Sequence, residues 1–361
     1  MSLCWVQRSQ ELGIERKQIA ETLAATVRVT LKSRKDLAGL LSDLAQHIPR
    51  ESIAGAPFCI ITFVTSITDG YDAEIGFPVS RPVQAGEIRT RVFPPLKVLS
   101  LIHRGPVEEV RATYRKLYGF TEAQGLISDE FTREVYPDWE RPEWNEIELQ
   151  YVLHDWSQLF SANLERVLGQ EGSRQILQGV EPLTVESTLD ERFAWSKEMM
   201  ARLDRLASDE ARYDIVSSCA HIFPAGQVDK LRAVYVDARS RGDDPIQAVD
   251  AVIEFMDRDP GWSEKPLREG RVIYSTKQPR DPQAHAQAQT EAEKRRAYCF
   301  CPIVRNRLDQ GMSTTFCYCG SGWFRRQWEG ALGKPVRIEI VKSIVKGDDV
   351  CQFAIHLPAD L

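Results

Sequence analysis

Four cysteines carry the densest chemistry in the sequence. Cys299 and Cys301 form one Cys-x-Cys pair and Cys317 and Cys319 a second, with fifteen residues between the pairs. In extended chain, positions i and i+2 point the same way, so each pair would present two sulfurs on one face. Two such pairs could supply four thiolates tetrahedrally to zinc, the one cofactor the sequence raises. The usual structural zinc pair is Cys-x-x-Cys at a turn, and the competing reading is four reduced thiols packed beneath Phe300, Tyr318 and Trp323. Cys219 and His221, in SSCAHIFP, diverge on a helix and read as a buried cysteine and its neighbour. His103 ends a strand, where a structural hydrogen bond is its expected role. The glycine-rich GSGW stretch lacks the Lys-Ser/Thr ending of a phosphate-binding loop.

The composition sets limits on what these residues can serve. The chain has 361 residues, 43% hydrophobic and 27% charged, enough for two domains with their own cores. Eight cysteines, five of them after residue 298, argue against a disulfide framework and towards thiol or metal chemistry. A net charge of −6 gives no general basic footprint for nucleic acid, and no apolar run is long enough to span a bilayer. The start, MSLCWVQRSQELG, lacks the apolar core of a signal peptide, so a cytoplasmic protein is expected.

In the amino-terminal half, one strand–helix–strand–strand order occurs twice. TLAATVRVTL (22–31) reads as a strand, and Ser33-Arg34-Lys35-Asp36 as a capping box. Leu37, Leu40, Leu41, Leu44 and Ile48 share a helical face that Pro49 ends, and FCIITFVT and DAEIGFPV supply two further strands. The second copy has a strand over 97–103, the turn Arg104-Gly105-Pro106, a helix over 106–118 with Pro106 at its first position, REVY, and EIELQYVL. Each half could bury only one sheet face alone, so the two should form one pseudo-symmetric unit.

The runs GAPFCIITF, AEIGFPV, FPPLKVLSLIHRGPVEEVRATY, REVY and EIELQYVL, in that order, resemble the effector-binding domain of the gyrase-inhibitory-protein-like (GyrI-like) family over about residues 14–153. The resemblance implies a cleft between two half-domains that accepts lipophilic, often cationic, small molecules. It places a pocket-facing carboxylate in the last strand at Glu148, with Glu146 the other candidate. A carboxylate in an aromatic-lined cavity suits an organic cation, and Tyr71, Phe77, Tyr136, Trp139 and Trp144 are the candidate walls. Some members of that family resemble hydrolases. In that alternative Glu148 would be a general base of raised pKa, with Tyr136 as acid or orienting group.

From Asp155 the pattern turns helical, with apolar residues at three- and four-residue spacing to Met256 and a connection over 169–182. Residues 336–357 read as a hairpin. FCYC, the following Gly-Trp and the late GDDVCQFAI resemble 4-vinyl-reductase-like domains and L-2-amino-thiazoline-4-carboxylic acid hydrolase-like proteins, over about residues 185–358. That resemblance implies a small α+β ligand-binding module with cysteines near its site, and no catalytic set follows from it. A cysteine- or metal-dependent hydrolase in this half is a further alternative.

The expectation is therefore an α+β protein. Residues 14–153 form a ligand-binding domain, 154–182 a linker and connecting helix, and 183–361 a helical domain with a cysteine-rich α+β end. A small molecule is the expected partner, without direct nucleic-acid or membrane binding, and a homodimer is compatible with the pattern.

Overall fold

The computed structural model describes residues 5–66, 70–141, 146–220, 225–259, 262 and 264–361. The chain divides into two compact units, residues 1–154 and 155–361.

The first unit is built on one curled antiparallel sheet. After helix α1 (Trp5–Leu12) come β1 (Glu15–Ile19), β2 (Thr22–Leu31), α2 (Leu37–Gln46), β3 (Phe58–Ser66) and β4 (Gly70–Pro78), then β5 (Arg89–Phe93), β6 (Leu96–Arg104), α3 (Val110–Ala123), β7 (Ser128–Val135) and β8 (Glu146–Leu153). The eight strands lie in the order β1-β6-β8-β7-β3-β4-β2-β5. The doubled strand–helix–strand–strand order is present: β2-α2-β3-β4 forms one half, β6-α3-β7-β8 the other, and β3 pairs with β7 at the junction. Two edge strands, β1 and β5, brace the halves crosswise. β1 leads into the first half but pairs with β6 of the second; β5 leads into the second but pairs with β2 of the first.

Local chemistry sets the two helix starts. Ser33 and Asp36 form the capping box, with the Ser33 amide donating to Asp36 at 3.0 Å, ahead of a short 3-10 turn and α2. Leu37, Leu41 and Leu44 are its buried face. In the second half, Gly105 takes φ +130, a conformation that favours glycine. Pro106 has φ −59 and ψ 139, so it precedes the helix rather than opening it; a 3-10 turn over Val107–Glu109 leads into α3. His103 pins this turn. Its Nε2 lies 3.0 Å from the Pro106 carbonyl, which can only accept, and its Nδ1 lies 2.8 Å from the Thr113 hydroxyl.

The second unit holds the long helices α4 (Trp156–Leu177), α5 (Leu189–Leu206), α6 (Asp209–Ser217), α7 (Ala225–Ser240) and α8 (Pro245–Arg258). Then follow β9 (Leu267–Glu269), β10 (Val272–Thr276), α9 (Pro282–Gln287), α10 (Glu291–Tyr298), α11 (Tyr318–Leu332), β11 (Arg337–Lys342) and β12 (Gln352–His356). Gly169, at φ +72 and ψ 176, is not helical and breaks α4 into two helical segments. The sheet order is β11-β12-β10-β9, and β11 with β12 forms the expected antiparallel pair. Trp328, Phe324, Leu231, Val252, Ile338 and Ile355 are at the centre of one core; Trp156 stacks on Phe160 at 5.2 Å in another. Among the described residues no helix is long and apolar enough to cross a membrane.

Candidate functional site

Strand alternation in the first unit sorts the polar residues onto two faces. In β7, Thr132 and Glu134 point one way and Arg133 and Val135 the other. Register carries this across the sheet: Glu134 pairs with Leu149, while Val135 pairs with Glu148 and Arg133 with Gln150.

The face bearing Glu134 is covered by α3. Glu134 is 1% exposed and fully engaged. The Arg34 guanidinium donates to both carboxylate oxygens, at 2.8–3.3 Å, and the Tyr114 hydroxyl donates at 2.7 Å. The Tyr136 hydroxyl donates to the second oxygen. Arg34 reaches this point because the capped 3-10 turn carries it. Burial lowers its pKa, but the Glu134 charge and hydrogen bonds outweigh that and raise it. Beside this network Arg34, Tyr71, Tyr114, Tyr118, Arg111 and Thr132 line a cleft of about 360 Å³. Arg34 lies over the Tyr71 and Tyr114 rings, at 5.7 and 5.8 Å from their centroids.

The opposite face carries a second cleft, of about 400 Å³. Its lining includes Ile19, Leu23, Pro78, Val79, Arg133 and Gln150. Glu148 lies on this face beside the cleft, with 15% of its side chain exposed. Three donors converge on its Oε1: Ser100 Oγ at 2.7 Å, Lys17 Nζ at 3.0 Å and Gln150 Nε2 at 3.1 Å. Burial pushes the Glu148 pKa up. The hydrogen bonds from Ser100, Gln150 and Lys17, with the Lys17 charge, outweigh it and hold the carboxyl below its ordinary value. Glu74, further along the face and 8% exposed, pairs with Arg91.

Arg133 differs from all of these. It is 7% exposed, its guanidinium lies 4.2 Å from the Phe58 ring centroid, and among the described residues its Nε has no hydrogen-bond partner. Burial lowers its pKa to about 10, partly opposed by the Glu148 charge, so it stays protonated at neutral pH. The Gln150 carbonyl oxygen is also buried without a partner. Its amide orientation is fixed, because only the NH₂ end can face Glu148.

The expected site residues are thus dispersed. Glu148 is beside the open cleft, and Glu146 pairs with Arg104. Phe77, fully buried, packs edge-on against Trp139 at 4.9 Å; Tyr71 lines the helix-side cleft; Tyr136 serves Glu134 on the face opposite Glu148. Trp144 and His221 lie outside the described residues. Sequence reasoning placed Gln150 on the face of Glu148 but missed Arg133 and Glu134. The signal for them was the alternation in REVY read against EIELQYVL.

In the second unit neither cysteine pair lies in a β-strand: Cys299 has extended backbone angles, φ −69 and ψ 124, and Cys317 helical ones, φ −72 and ψ −10. Cys299 caps α10, Cys301 follows it in a loop, Cys317 ends a 3-10 turn and Cys319 sits in the first turn of α11. The expectation of two sulfurs on one face from extended-chain geometry does not apply to Cys317 and Cys319, which lie on helical backbone. All four are free thiols, and Cys317 Sγ lies 3.2 Å from Ser343 Oγ. Burial raises their pKa values, for Cys299 and Cys301 to about 12, which favours the protonated thiol. Among the described residues no three His, Cys, Asp or Glu side chains are disposed to hold a metal ion.

A family of unknown function (DUF6144) matches residues 285–360, so the comparison gives the carboxyl-terminal half no activity. No curated protein matches the chain. Among solved structures, EcmrR in an EcmrR–DNA complex is 19% identical with a TM-score of 0.37; the match covers 41% of this chain and 62% of that one, less than two thirds of its length. The isolated EcmrR C-terminal domain is 21% identical with a TM-score of 0.35, over 39% of this chain and 96% of that one. SAV2435 bound to tetraphenylphosphonium is 13% identical with a TM-score of 0.28, over 39% and 93%. At these identities and TM-scores the neighbours define neither a shared family nor a shared function.

Proposed function

We propose that residues 1–154 form a small-molecule receptor whose site is the open cleft on the sheet face opposite α3. The observation that supports it is the cleft itself. It joins apolar walls with two buried polar groups, Arg133 Nε and Gln150 Oε1, that have no hydrogen-bond partner among the described residues. Buried polar atoms are nearly always satisfied, and exceptions in a concave site mark where a ligand's groups would sit.

Glu148, in this reading, is the fixed carboxylate that orients Ser100, Lys17 and Gln150 at the edge of the site. Its low pKa disfavours a general-base role, and Tyr136 on the other face could not assist it. A net charge of −6 supports a receptor that does not itself grip duplex DNA. The test is a thermal-shift and ligand-observed NMR screen of the full chain against small amphipathic aromatics. Hits should compete with one another and shift resonances of Val79, Val135 and Gln150. Hits that shift only second-unit resonances would sink the assignment.

A further inference from the structure

Arg133 is the buried charge of the first unit that the fold leaves unanswered. Glu134 has Arg34, Glu74 has Arg91 and Glu148 has Lys17, so each carboxylate near it already holds a cation of this chain. Among the described residues Arg133 forms no ion pair; the Phe58 ring contacts its guanidinium, and its Nε–H is orphaned. With Glu148 neutralised by Lys17, the guanidinium remains as surplus positive charge at the cleft. Glu21, which also lines the cleft, is exposed at its rim, where water screens it.

Resting on the receptor reading, we infer that this cleft binds the acidic end of a small amphipathic molecule, an organic carboxylate, with Arg133 as its counter-ion. A planar carboxylate matches the guanidinium fork and would bond to Nε–H directly. Gln150, the cross-strand partner of Arg133, offers a second contact. Its carbonyl oxygen, unpartnered among the described residues, would accept a further hydrogen bond from a ligand that carries a hydroxyl or an amide N–H beside its carboxylate, while a plain carboxylate engages Arg133 alone. Ile19, Leu23, Val79 and Val135 would take the apolar body. The ligand class is thus opposite in charge to the cations that the sequence resemblance implies.

Three ligands of one shape test this on the unaltered full chain by calorimetry: 2-naphthoate, neutral 2-naphthamide and cationic 2-naphthylmethylammonium. Naphthoate should bind at least about tenfold tighter than either of the others. Arg133→Gln should remove about that tenfold for naphthoate and leave naphthamide within about threefold. Equal or tighter binding of the ammonium or the amide would overturn the charge assignment while leaving the receptor reading intact. No binding by any of the three, up to about 1 mM, would overturn the receptor reading and this inference with it. Should Arg133→Gln fail to fold, the ranking of the three ligands on the native protein still decides.

Discussion

Arg133 and Glu134, neighbours in β7, are both buried and point to opposite faces of the same sheet, and one of them alone is paired. Glu134 is held by a guanidinium and two tyrosine hydroxyls, whereas Arg133 has an aromatic ring and an orphaned Nε–H. A buried guanidinium without an ion pair opposes folding, so its cost must be borne for another reason. Arg133→Met should therefore leave the ligand-free protein as stable or stabilise it, by about 1–2 kcal/mol. Urea unfolding followed by a first-unit probe measures this. A loss above about 1 kcal/mol would mean that Arg133 is structural.

The opposite result is expected at Arg34. Arg34→Met leaves Glu134, 1% exposed, as an uncompensated buried carboxylate, which costs about 3–5 kcal/mol. Replacing both charges at once, Arg34→Met with Glu134→Gln, should recover most of that loss, because the tyrosine hydroxyls can still bond to a neutral amide. The double-mutant cycle, read by urea unfolding, gives the coupling. Additive single losses would show that the pair contributes little.

Glu148 supplies a pH signature. Its folded pKa lies below its ordinary value of about 4.5, so the carboxylate binds protons more readily in the unfolded chain. Its contribution is fully present above that unfolded value and is lost as pH falls through the folded one. Unfolding midpoints between pH 7 and pH 3 should therefore fall more steeply for the native protein than for Glu148→Gln, with the difference confined below about pH 4.5. Parallel curves would contradict the Ser100–Lys17–Gln150 arrangement.

The doubled half-domain was legible because its strands and helices carry strong apolar periods, and the HRGP turn because Gly105 and His103 have local jobs. β1 was not legible: Glu15, Arg16, Lys17 and Gln18 show no apolar alternation, since an edge strand is held by its pairing with β6. Missing β1 hid Lys17, and with it the neutralisation of Glu148. The site was half-legible for a related reason. The sequence shows which strands carry charge, but whether a charge faces a helix or a cleft depends on register and on which face the helices cover. The setting of the cysteine pairs was not legible because Cys-x-Cys puts two sulfurs on one face only in extended chain, whereas Cys317 and Cys319 enter the helix α11 and Cys299 and Cys301 follow the end of α10.

The GSGW stretch shows how far local geometry overrides composition, and it yields the last test. Gly322 sits in α11 where that helix meets the end of α6. A Cβ there would lie 1.9 Å from the Ser217 carbonyl oxygen and 2.6 Å from the Ala220 Cβ. Helix propensity alone would make Gly322→Ala stabilising by about 1 kcal/mol. The clash is with backbone, which cannot rotate away, so overpacking of about 3 kcal/mol should win and the second unit should be destabilised overall. At Gly320 a Cβ meets only the tip of the Phe353 ring, at 3.2 Å, so Gly320→Ala should sit near neutral. Thermal unfolding of the two variants separates close helix packing from a ligand-binding role for these glycines. A Gly322→Ala protein as stable as the parent would refute the packing account.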